Sequence, residues 1–196
     1  SISFTVQLVS VLFADVVEFN SLCKSLPPNR VLSTLNLLFS RFDQLLGKRP
    51  TLTKIKNIGD CYMVVGGIFN DAPQQIDHAK ETVSYGLDLI RATWDLKKEQ
   101  NQNIDIKIGV HTGGPIVAGI LDISRPTFEV FGQPVGVAQF LKKKGLSMHV
   151  HLSRPCYELL FKSISAEFRE NGKHTYRDST FLTYIATVKF NKKSEK

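Results

Sequence analysis

The sequence predicts an α+β fold, a ferredoxin-like βαββαβ sandwich with additions at its C-terminal end. Strand-like and helix-like patterns alternate along the chain, and the opening elements follow the order strand, helix, strand, strand, helix, strand. No linker-like segment separates them, and 196 residues with 42% hydrophobic content are enough for one substantial core. We therefore expect one domain over residues 1–190 and a basic, disordered tail over residues 191–196.

The opening elements have distinct patterns. Residues 6–15, "VQLVSVLFAD", become apolar on both faces towards their end, which predicts a central strand. Residues 27–49 start with prolines and carry an apolar stripe at helical spacing, so they predict a helix that ends at Gly47. Residues 54–67, "KIKNIGDCYMVVGG", predict two strands joined by a tight turn at residues 58–61.

The rest of the chain continues the alternation. Residues 77–99 predict a second long helix, and the strand at 104–113 is expected to pair with residues 114–120. The later elements are expected to be a strand at 128–132, a helix at 133–145, a strand at 148–153, a helix at 154–164, and closing strands at 166–170 and 180–190.

The net charge of +7 does not by itself indicate nucleic acid. Much of it lies in Lys142-Lys143-Lys144 and in the tail, which we interpret as a solvated helix end and a frayed terminus. The chain has neither aromatic residues interleaved with basic ones nor zinc-finger spacing, so we expect no nucleic-acid partner. The charge is equally compatible with a polyanionic small molecule such as a nucleoside triphosphate.

Other features concern the compartment. The three cysteines form no CxxC motif, which favours free thiols in a reducing compartment. No run approaches the roughly 18 apolar residues of a membrane span, and the start lacks the basic leader of a signal peptide. Because the chain does not begin with methionine, we expect a domain from a longer protein.

Two acidic residues mark the ends of neighbouring strands. Asp15 ends the first strand, and Asp60 lies at the tip of the following hairpin. In a βαββ unit the first strand is a sheet neighbour of that hairpin, so both carboxylates can meet at one edge. Two carboxylates and a nearby backbone carbonyl could then hold two magnesium ions. The alternative is that each acid merely caps a strand end, and the residues alone leave both interpretations open.

The histidines are weaker candidates. His149 and His151 lie on one face of a predicted strand and could bind a metal, but no third ligand is near in sequence. For His111 we favour a core or hydrogen-bonding role.

Several sequence blocks resemble one enzyme family. "VSVLFADVVEFN", "KIKNIGDCYMVVGG", "IKIGVHTGGPIVAGI" and "FEVFGQPVGVAQFL" are similar, in order and spacing, to class III nucleotidyl cyclases, the adenylate and guanylate cyclase catalytic domain, over about residues 6–188. The resemblance implies the class III nucleotidyl cyclase fold and head-to-tail dimers whose active sites lie between subunits. It assigns Asp15 and Asp60 as catalytic, metal-binding aspartates for two Mg²⁺ or Mn²⁺ ions, the Val16 carbonyl as a further ligand, and the backbone of Phe19 and Asn20 to the phosphates.

The resemblance also implies a purine-binding pair, Lys56 and Glu129. Adenylate cyclases tend to have lysine and aspartate at these positions, whereas guanylate cyclases tend to have glutamate and cysteine. A lysine donor and a carboxylate acceptor suit adenine, because guanine presents an oxygen acceptor where adenine has an amine. We therefore favour ATP over GTP, although Glu129 is one methylene longer than the usual aspartate. The alternative is a Lys56–Glu129 salt bridge without a ligand.

The chain departs from the family pattern at the transition-state residues. The asparagine and arginine that the family carries four residues apart on one helix are replaced by Gly136 and Phe140. The family's triphosphate lysine falls near Tyr176 or Asp178, with Arg177 as an uncertain substitute. Each such donor that is lost lowers the rate by about 10²–10³. A homodimer of this chain should therefore be a feeble catalyst.

The phosphate loop also departs from the pattern, since Glu18 stands where the family has glycine. Both metal aspartates are nevertheless present, so the chain resembles the metal-bearing half of a two-part cyclase. We expect a homodimer, or a heterodimer with a complementary half, in which the ribose 3′-oxygen of ATP attacks the α-phosphate and cyclic AMP and pyrophosphate form. We expect it at the cytoplasmic face, with any membrane anchor in other parts of the full-length chain.

Two other functions stay open. The first is a catalytically weak or inactive regulatory homologue that dimerises and binds nucleotide, which Glu18, Gly136 and Phe140 favour. The second is a nucleic-acid-binding ferredoxin-like domain, which charge alone supports.

Overall fold

The computed structural model describes residues 2–69, 75–160 and 163–190. The chain opens with strands β1 (Ser3–Val6) and β2 (Val9–Val16) and helices α1 (Phe19–Ser25) and α2 (Pro28–Leu46). The elements that follow are β3 (Leu52–Ile58), β4 (Cys61–Gly66), α3 (Gln75–Gln100), β5 (Ile106–Gly113), β6 (Ile116–Leu121), β7 (Thr127–Phe131), α4 (Gln133–Lys144), β8 (Val150–Ser153), α5 (Arg154–Glu158), β9 (Ala166–Tyr176) and β10 (Ser179–Val188).

The strands form two sheets. A seven-stranded sheet has the order β3-β4-β2-β5-β8-β10-β9, and a three-stranded sheet has the order β1-β6-β7. Within the large sheet, β2 is antiparallel to both β4 and β5. The order β3-β4-β2-β5, with α2 and α3 as connections, is the arrangement of a ferredoxin-like unit. The predicted α+β fold is therefore confirmed.

Helices and the small sheet cover opposite faces of the large sheet. One face of β2, including Leu12 and Ala14, packs against residues of α2 and α3 such as Leu38 and Ile90. The other face of β2 carries Val9, Val11 and Phe13, and it forms a second core with Ile116, Ala118 and Val130 of the small sheet and Ala138 of α4. Because both faces of β2 are covered, the strand is apolar on both faces, as its sequence predicted.

Several boundaries and pairings differ from the prediction. The predicted strand at 6–15 begins later, since Val6 is the last residue of β1 in the small sheet and β2 of the large sheet starts at Val9. The predicted pairing of residues 104–113 with 114–120 is wrong, because β6 pairs with β1 and β7. Between β5 and β6 the chain passes close to the backbone of Gln7, since a Cβ on Gly114 would lie 2.6 Å from the Gln7 carbonyl carbon.

The C-terminal elements also differ. The predicted helix at 154–164 is shorter, since α5 ends at Glu158, and residues 161–162 lie outside the described residues. The closing hairpin is longer than predicted. The helix α1 had no counterpart in the prediction. The predicted tail at 191–196 lies outside the described residues. In the part of the chain that the structure describes, no helix has the length and apolarity needed to cross a bilayer.

Candidate active site

The carboxylates of Asp15 and Asp60 meet at one end of the large sheet. Asp15 lies near the end of β2, directly opposite Cys61 of β4. Asp60 belongs to the two-residue turn between β3 and β4, where Gly59 has a φ of 57°. This left-handed conformation favours glycine in a tight hairpin turn and sets Asp60 beside the end of β2. The structure therefore brings together the two acids that the sequence analysis selected.

The two acids lie in partly buried surroundings that also contain Lys142. Partial burial and the facing Asp15 carboxyl raise the pKa of Asp60 to about 6, although Lys142 acts in the opposite direction. One oxygen of Asp15, Oδ2, accepts a hydrogen bond from Lys142 Nζ at 2.7 Å. The other oxygen, Oδ1, is buried and has no hydrogen-bond partner in the structure. A buried carboxylate oxygen without a donor fits a position for a hard cation.

Lys142 was assigned to a solvated helix end, and this prediction is wrong. Its side chain is only 7% exposed, whereas Lys143 and Lys144 are exposed. Helix α4 rests directly on β5, since a Cβ on Gly109 would lie 2.8 Å from Lys142 Cα. The available signal was the helical spacing, because Lys142 lies four residues after the buried Ala138 on the same helix face.

A cleft opens beside Asp15. It has a volume of ≈ 340 Å³. Its lining includes positive side chains that would attract a polyphosphate. One of them, Lys107, was not among the site residues predicted from the sequence. The lining residues are Asp15, Val16, Val17, Glu18, Lys107, Lys142 and Lys143.

The predicted phosphate-binding residues lie next to this cleft. Phe19 and Asn20 begin α1, where backbone N–H groups have no acceptor within the helix. The preceding residue, Glu18, has a φ of 54° and a ψ of 42°, a left-handed conformation that favours glycine. Geometry therefore gives an independent reason for a glycine at this position, and Glu18 adds a negative charge beside the cleft.

Lys56 and Glu129 form an ion pair. Lys56 Nζ donates to Glu129 Oε2 at 2.8 Å, between β3 and β7, and both side chains are partly exposed. Lys56 lies opposite Met63 in the β3–β4 ladder, and Met63 in turn lies opposite Phe13. Lys56 is therefore on the same sheet face as Phe13 and Asp15, since side chains alternate along a strand. The predicted purine-binding pair and Asp15 therefore lie on the same face of the large sheet.

The positions that lack transition-state residues form an aromatic cluster. Phe140 packs on Tyr176 with ring centroids 5.5 Å apart, and its ring contacts His174 at 6.4 Å. Tyr176 also fills the space in front of Gly136, where an added Cβ would lie 2.8 Å from Tyr176 Cζ. The Arg177 guanidinium stacks over the Tyr176 ring at 5.4 Å. These replacements are thus mutually compatible in space.

The histidine candidates do not form a metal site. His151 is fully buried, and its Nδ1 hydrogen-bonds to the Leu141 carbonyl at 2.7 Å. His149 Nδ1 hydrogen-bonds to the Ser147 carbonyl at 2.7 Å. Within residues 2–69, 75–160 and 163–190, no three His, Cys, Asp or Glu side chains are grouped to hold a metal. Any ion at the acid pair would therefore need backbone, water or substrate oxygens to complete its coordination.

Comparison with known proteins gives consistent matches. A family model described as the adenylate and guanylate cyclase catalytic domain matches residues 3–187. Guanylate cyclase soluble subunit beta-2 of Rattus norvegicus is 33% identical over 156 residues, which cover 79% of this chain and 22% of that protein. Adenylate cyclase type 9 of Xenopus laevis is 34% identical over 148 residues, which cover 76% of this chain and 11% of that protein.

A solved structure gives a similar result. The catalytic core of a rhodopsin-guanylyl cyclase with converted specificity, in complex with ATPalphaS, superposes with a TM-score of 0.84 at 26% identity, over 95% of this chain and 98% of that chain. The relatives include both guanylate and adenylate cyclases, so similarity alone does not select a purine. The chain spans only 22% and 11% of the length of these two relatives.

Proposed function

Because this chain belongs to the family of adenylate and guanylate cyclase catalytic domains, we propose that it supplies the metal-binding half of a composite site that converts ATP to cyclic AMP and pyrophosphate. One observation carries the proposal. Asp15 and Asp60 meet beside a cationic cleft, with Asp15 Oδ1 buried and without a donor, while the second half of the site is an aromatic cluster.

The acid pair would hold the metal ions. Asp15, Asp60 and the Val16 carbonyl are hard oxygen ligands of the kind that Mg²⁺ or Mn²⁺ prefers, and we expect two ions. When bound, the ions neutralise the triphosphate and activate the ribose 3′-oxygen for in-line attack on the α-phosphate. The buried, undonated Asp15 Oδ1 supports this assignment.

The remaining side chains would position the substrate. Lys107 and Lys143 line the cleft and would attract the triphosphate, while the backbone N–H groups of Phe19 and Asn20 would donate to its oxygens. Lys56 and Glu129 would then exchange their mutual ion pair for contacts with the base. A lysine that donates to a ring nitrogen and a carboxylate that accepts from the amine favour adenine over guanine.

A complementary partner would supply the missing donors. Gly136 and Phe140 provide no hydrogen bond for the ribose or the phosphate charge, so the partner would provide an asparagine, an arginine and a lysine. An apolar surface is available for docking, since Val117, Leu121 and Phe131 on the small sheet are 47%, 56% and 55% exposed. Val117 and Phe131 are cross-strand neighbours, and contiguous exposed apolar side chains are typical of interfaces.

A substituted second copy of this chain can test the proposal. A second copy with Asp15→Asn, Asp60→Asn, Gly136→Asn, Phe140→Arg and Tyr176→Lys would lack the acids and carry the donors. Neither copy alone has a complete site, but their mixture would contain one complete site in each mixed dimer. We expect cyclic AMP formation from ATP with Mg²⁺ or Mn²⁺ in the mixture and little in either copy alone.

The control is the same mixture with Asp15→Asn in the first copy as well. This change removes the last acid at position 15, so formation of cyclic AMP should disappear. If the mixture is inactive although native mass spectrometry shows mixed dimers, the proposal of a metal-bearing half is wrong.

The second candidate function is a regulatory homologue that binds nucleotide without turnover. Lys142 in contact with Asp15 favours it, because the ammonium occupies a carboxylate oxygen that the metal ions of turnover would need, while the cationic cleft could still hold a triphosphate. This function predicts that the mixture binds ATP in equilibrium dialysis and forms no cyclic AMP.

A further inference from the structure

We propose that Lys142 is a built-in counter-ion that competes with divalent cations for Asp15, so that metal enters this site only when the lysine ammonium is displaced. The inference rests on the proposed function, because it concerns the metal of the same site. It goes further, since it assigns a role to a residue outside the acid pair.

The ammonium lies where a cation bound to Asp15 would lie. Lys142 Nζ is 2.7 Å from Asp15 Oδ2, and the side chains of Lys142 and Asp15 are 7% and 27% exposed. A divalent ion held by Asp15 and Asp60 would need their carboxylate oxygens as direct ligands. An ammonium and a divalent ion on the same small group of oxygens would repel each other strongly, because little water screens them. Their binding to Asp15 is therefore competitive.

The position of Lys142 is fixed by packing. Gly109 lets the backbone of α4 lie directly against β5, which places the lysine stem between the helix and the sheet. A buried ammonium is costly unless a carboxylate pairs with it, and Asp15 makes that pair in the structure. Lys142 therefore differs from the neighbouring Lys143, which is exposed.

After displacement, the Lys142 ammonium can pair with other groups in the cleft. Lys142 lines the same cleft as Glu18, Lys107 and Lys143. In that cleft the phosphates of a bound triphosphate, or the Glu18 carboxylate, could pair with the ammonium after a metal has taken Asp15. When a divalent ion binds without a nucleotide, only the Glu18 carboxylate of this cleft is available to pair with the displaced ammonium. The competition should therefore be most visible when the ion is offered without a nucleotide.

The test is the binding of Mn²⁺ alone, followed by the electron paramagnetic resonance signal of the free ion. The wild-type chain is compared with Lys142→Met, which keeps an apolar stem of similar length and removes the charge. The matched control is Lys143→Met, which removes the same charge from the next position of the same cleft. We expect at least tenfold tighter binding by Lys142→Met and a change of less than about twofold for Lys143→Met.

Further variants locate the ion and guard against misfolding. Asp15→Asn/Lys142→Met should lose the gained affinity, which would place the added ion at Asp15. Circular dichroism checks the fold of each variant, and Lys142→Gln replaces Lys142→Met if the latter does not fold.

Each remaining outcome has a definite meaning. Equal affinities of the wild-type chain and Lys142→Met would overturn the competition and leave the metal site of the proposed function intact. An equal gain in Lys143→Met would also overturn it, because the effect would then be general charge. Absence of Mn²⁺ binding in every variant would overturn the inference together with the metal site on which it rests.

Discussion

Tyr176 occupies the space in front of Gly136, so that no side chain can be present at position 136 while the tyrosine ring keeps its place. A Cβ on Gly136 would lie 2.8 Å from Tyr176 Cζ and still closer to the hydroxyl oxygen. Phe140 packs against the same ring from the next turn of α4. Gly136 and Phe140, which stand where the resemblance places polar donors, therefore pack together with Tyr176, one of the two places predicted for the family's lysine.

This contact predicts that introducing asparagine at position 136 and arginine at position 140 also requires a change at Tyr176. Gly136→Asn/Phe140→Arg should unfold at a lower temperature than the wild-type chain, because an asparagine side chain at position 136 would overlap the Tyr176 ring and an overpacked site typically costs about 1–3 kcal/mol. Adding Tyr176→Lys should recover most of that loss. Thermal unfolding measures both variants. A double variant as stable as the wild-type chain would show that Tyr176 swings away freely.

A second prediction concerns the Asp15–Lys142 pair and the free energy of unfolding without metal. Asp15→Asn should lower this free energy by about 2–3 kcal/mol, because it leaves a buried ammonium without its carboxylate. Asp15→Asn/Lys142→Met should be closer to the wild-type chain, since it removes both charges. Urea unfolding of the full double-mutant cycle measures the coupling between the two residues. Additive effects of the two single substitutions would contradict a specific interaction.

A third prediction concerns acid stability. Burial lowers the pKa of His111 to about 4 from its ordinary value of 6.5. Between these values the unfolded chain binds a proton that the folded chain does not. Proton binding by His111 in the unfolded chain therefore does not affect stability above pH 6.5. It lowers the free energy of unfolding as the pH falls from 6.5 towards 4. At 1.36 kcal/mol per pKa unit, the loss is roughly 3 kcal/mol.

The measurement is urea unfolding at several pH values for the wild-type chain, His111→Gln and the half-exposed control His149→Gln. His111→Gln should reduce the slope between pH 6.5 and 4, although the loss of the His111–Ser153 hydrogen bond lowers stability at all pH values. Burial also lowers the pKa of His78 and His151, so part of the slope should persist. The same slope in His111→Gln as in the wild-type chain would exclude His111 as a major cause.

A fourth prediction concerns Glu18, which combines a left-handed backbone with a negative charge beside the cleft. Glu18→Gly should stabilise the fold by about 1 kcal/mol, because glycine adopts this conformation without steric cost. It should also tighten triphosphate binding. Glu18→Ala is the matched control, since it removes the charge and keeps the steric cost. Equal stability of the two variants would show that the backbone conformation is not strained.

The sequence predicted the parts of the fold that local pattern determines. The two apolar faces of β2 indicated a central strand, and the acids at its end and at the hairpin tip indicated one common edge. The resemblance to nucleotidyl cyclases, drawn from the same blocks, is confirmed by the family match over residues 3–187. Patterns of this kind depend on neighbouring residues, which a single sequence displays directly.

The features that sequence reasoning missed depend on contacts between distant segments. Lys142 looked like part of a solvated lysine run, and only the close approach of α4 to β5 at Gly109 shows that it is buried. The pairing of β6 with β1 depends on the close approach of Gly114 to the backbone of Gln7. The match in volume between Gly136 and Tyr176 likewise joins separate elements. No local periodicity encodes such packing.

The last prediction concerns the choice of purine, which we propose to assign to Lys56 and Glu129. Their ion pair, at 2.8 Å, lies on the sheet face that also carries Asp15. Lys56→Glu/Glu129→Cys, the pattern of guanylate cyclases, should shift the product ratio of the complemented dimer from cyclic AMP towards cyclic GMP by tenfold or more. A carboxylate at position 56 would accept hydrogen bonds from the guanine ring N–H and amine, which adenine does not offer.

The matched control for this prediction is Lys56→Glu/Glu129→Lys, which keeps an ion pair and exchanges its donor and acceptor. If the pair reads the base, this swap should also lower the ratio of cyclic AMP to cyclic GMP, while the melting temperature stays near that of the wild-type chain. If the pair only ties β3 to β7, both double variants should keep the wild-type product ratio. In that case Lys56→Glu/Glu129→Cys alone should lose stability, because it alone lacks the ion pair, and the assignment of Lys56 and Glu129 to the purine would be wrong.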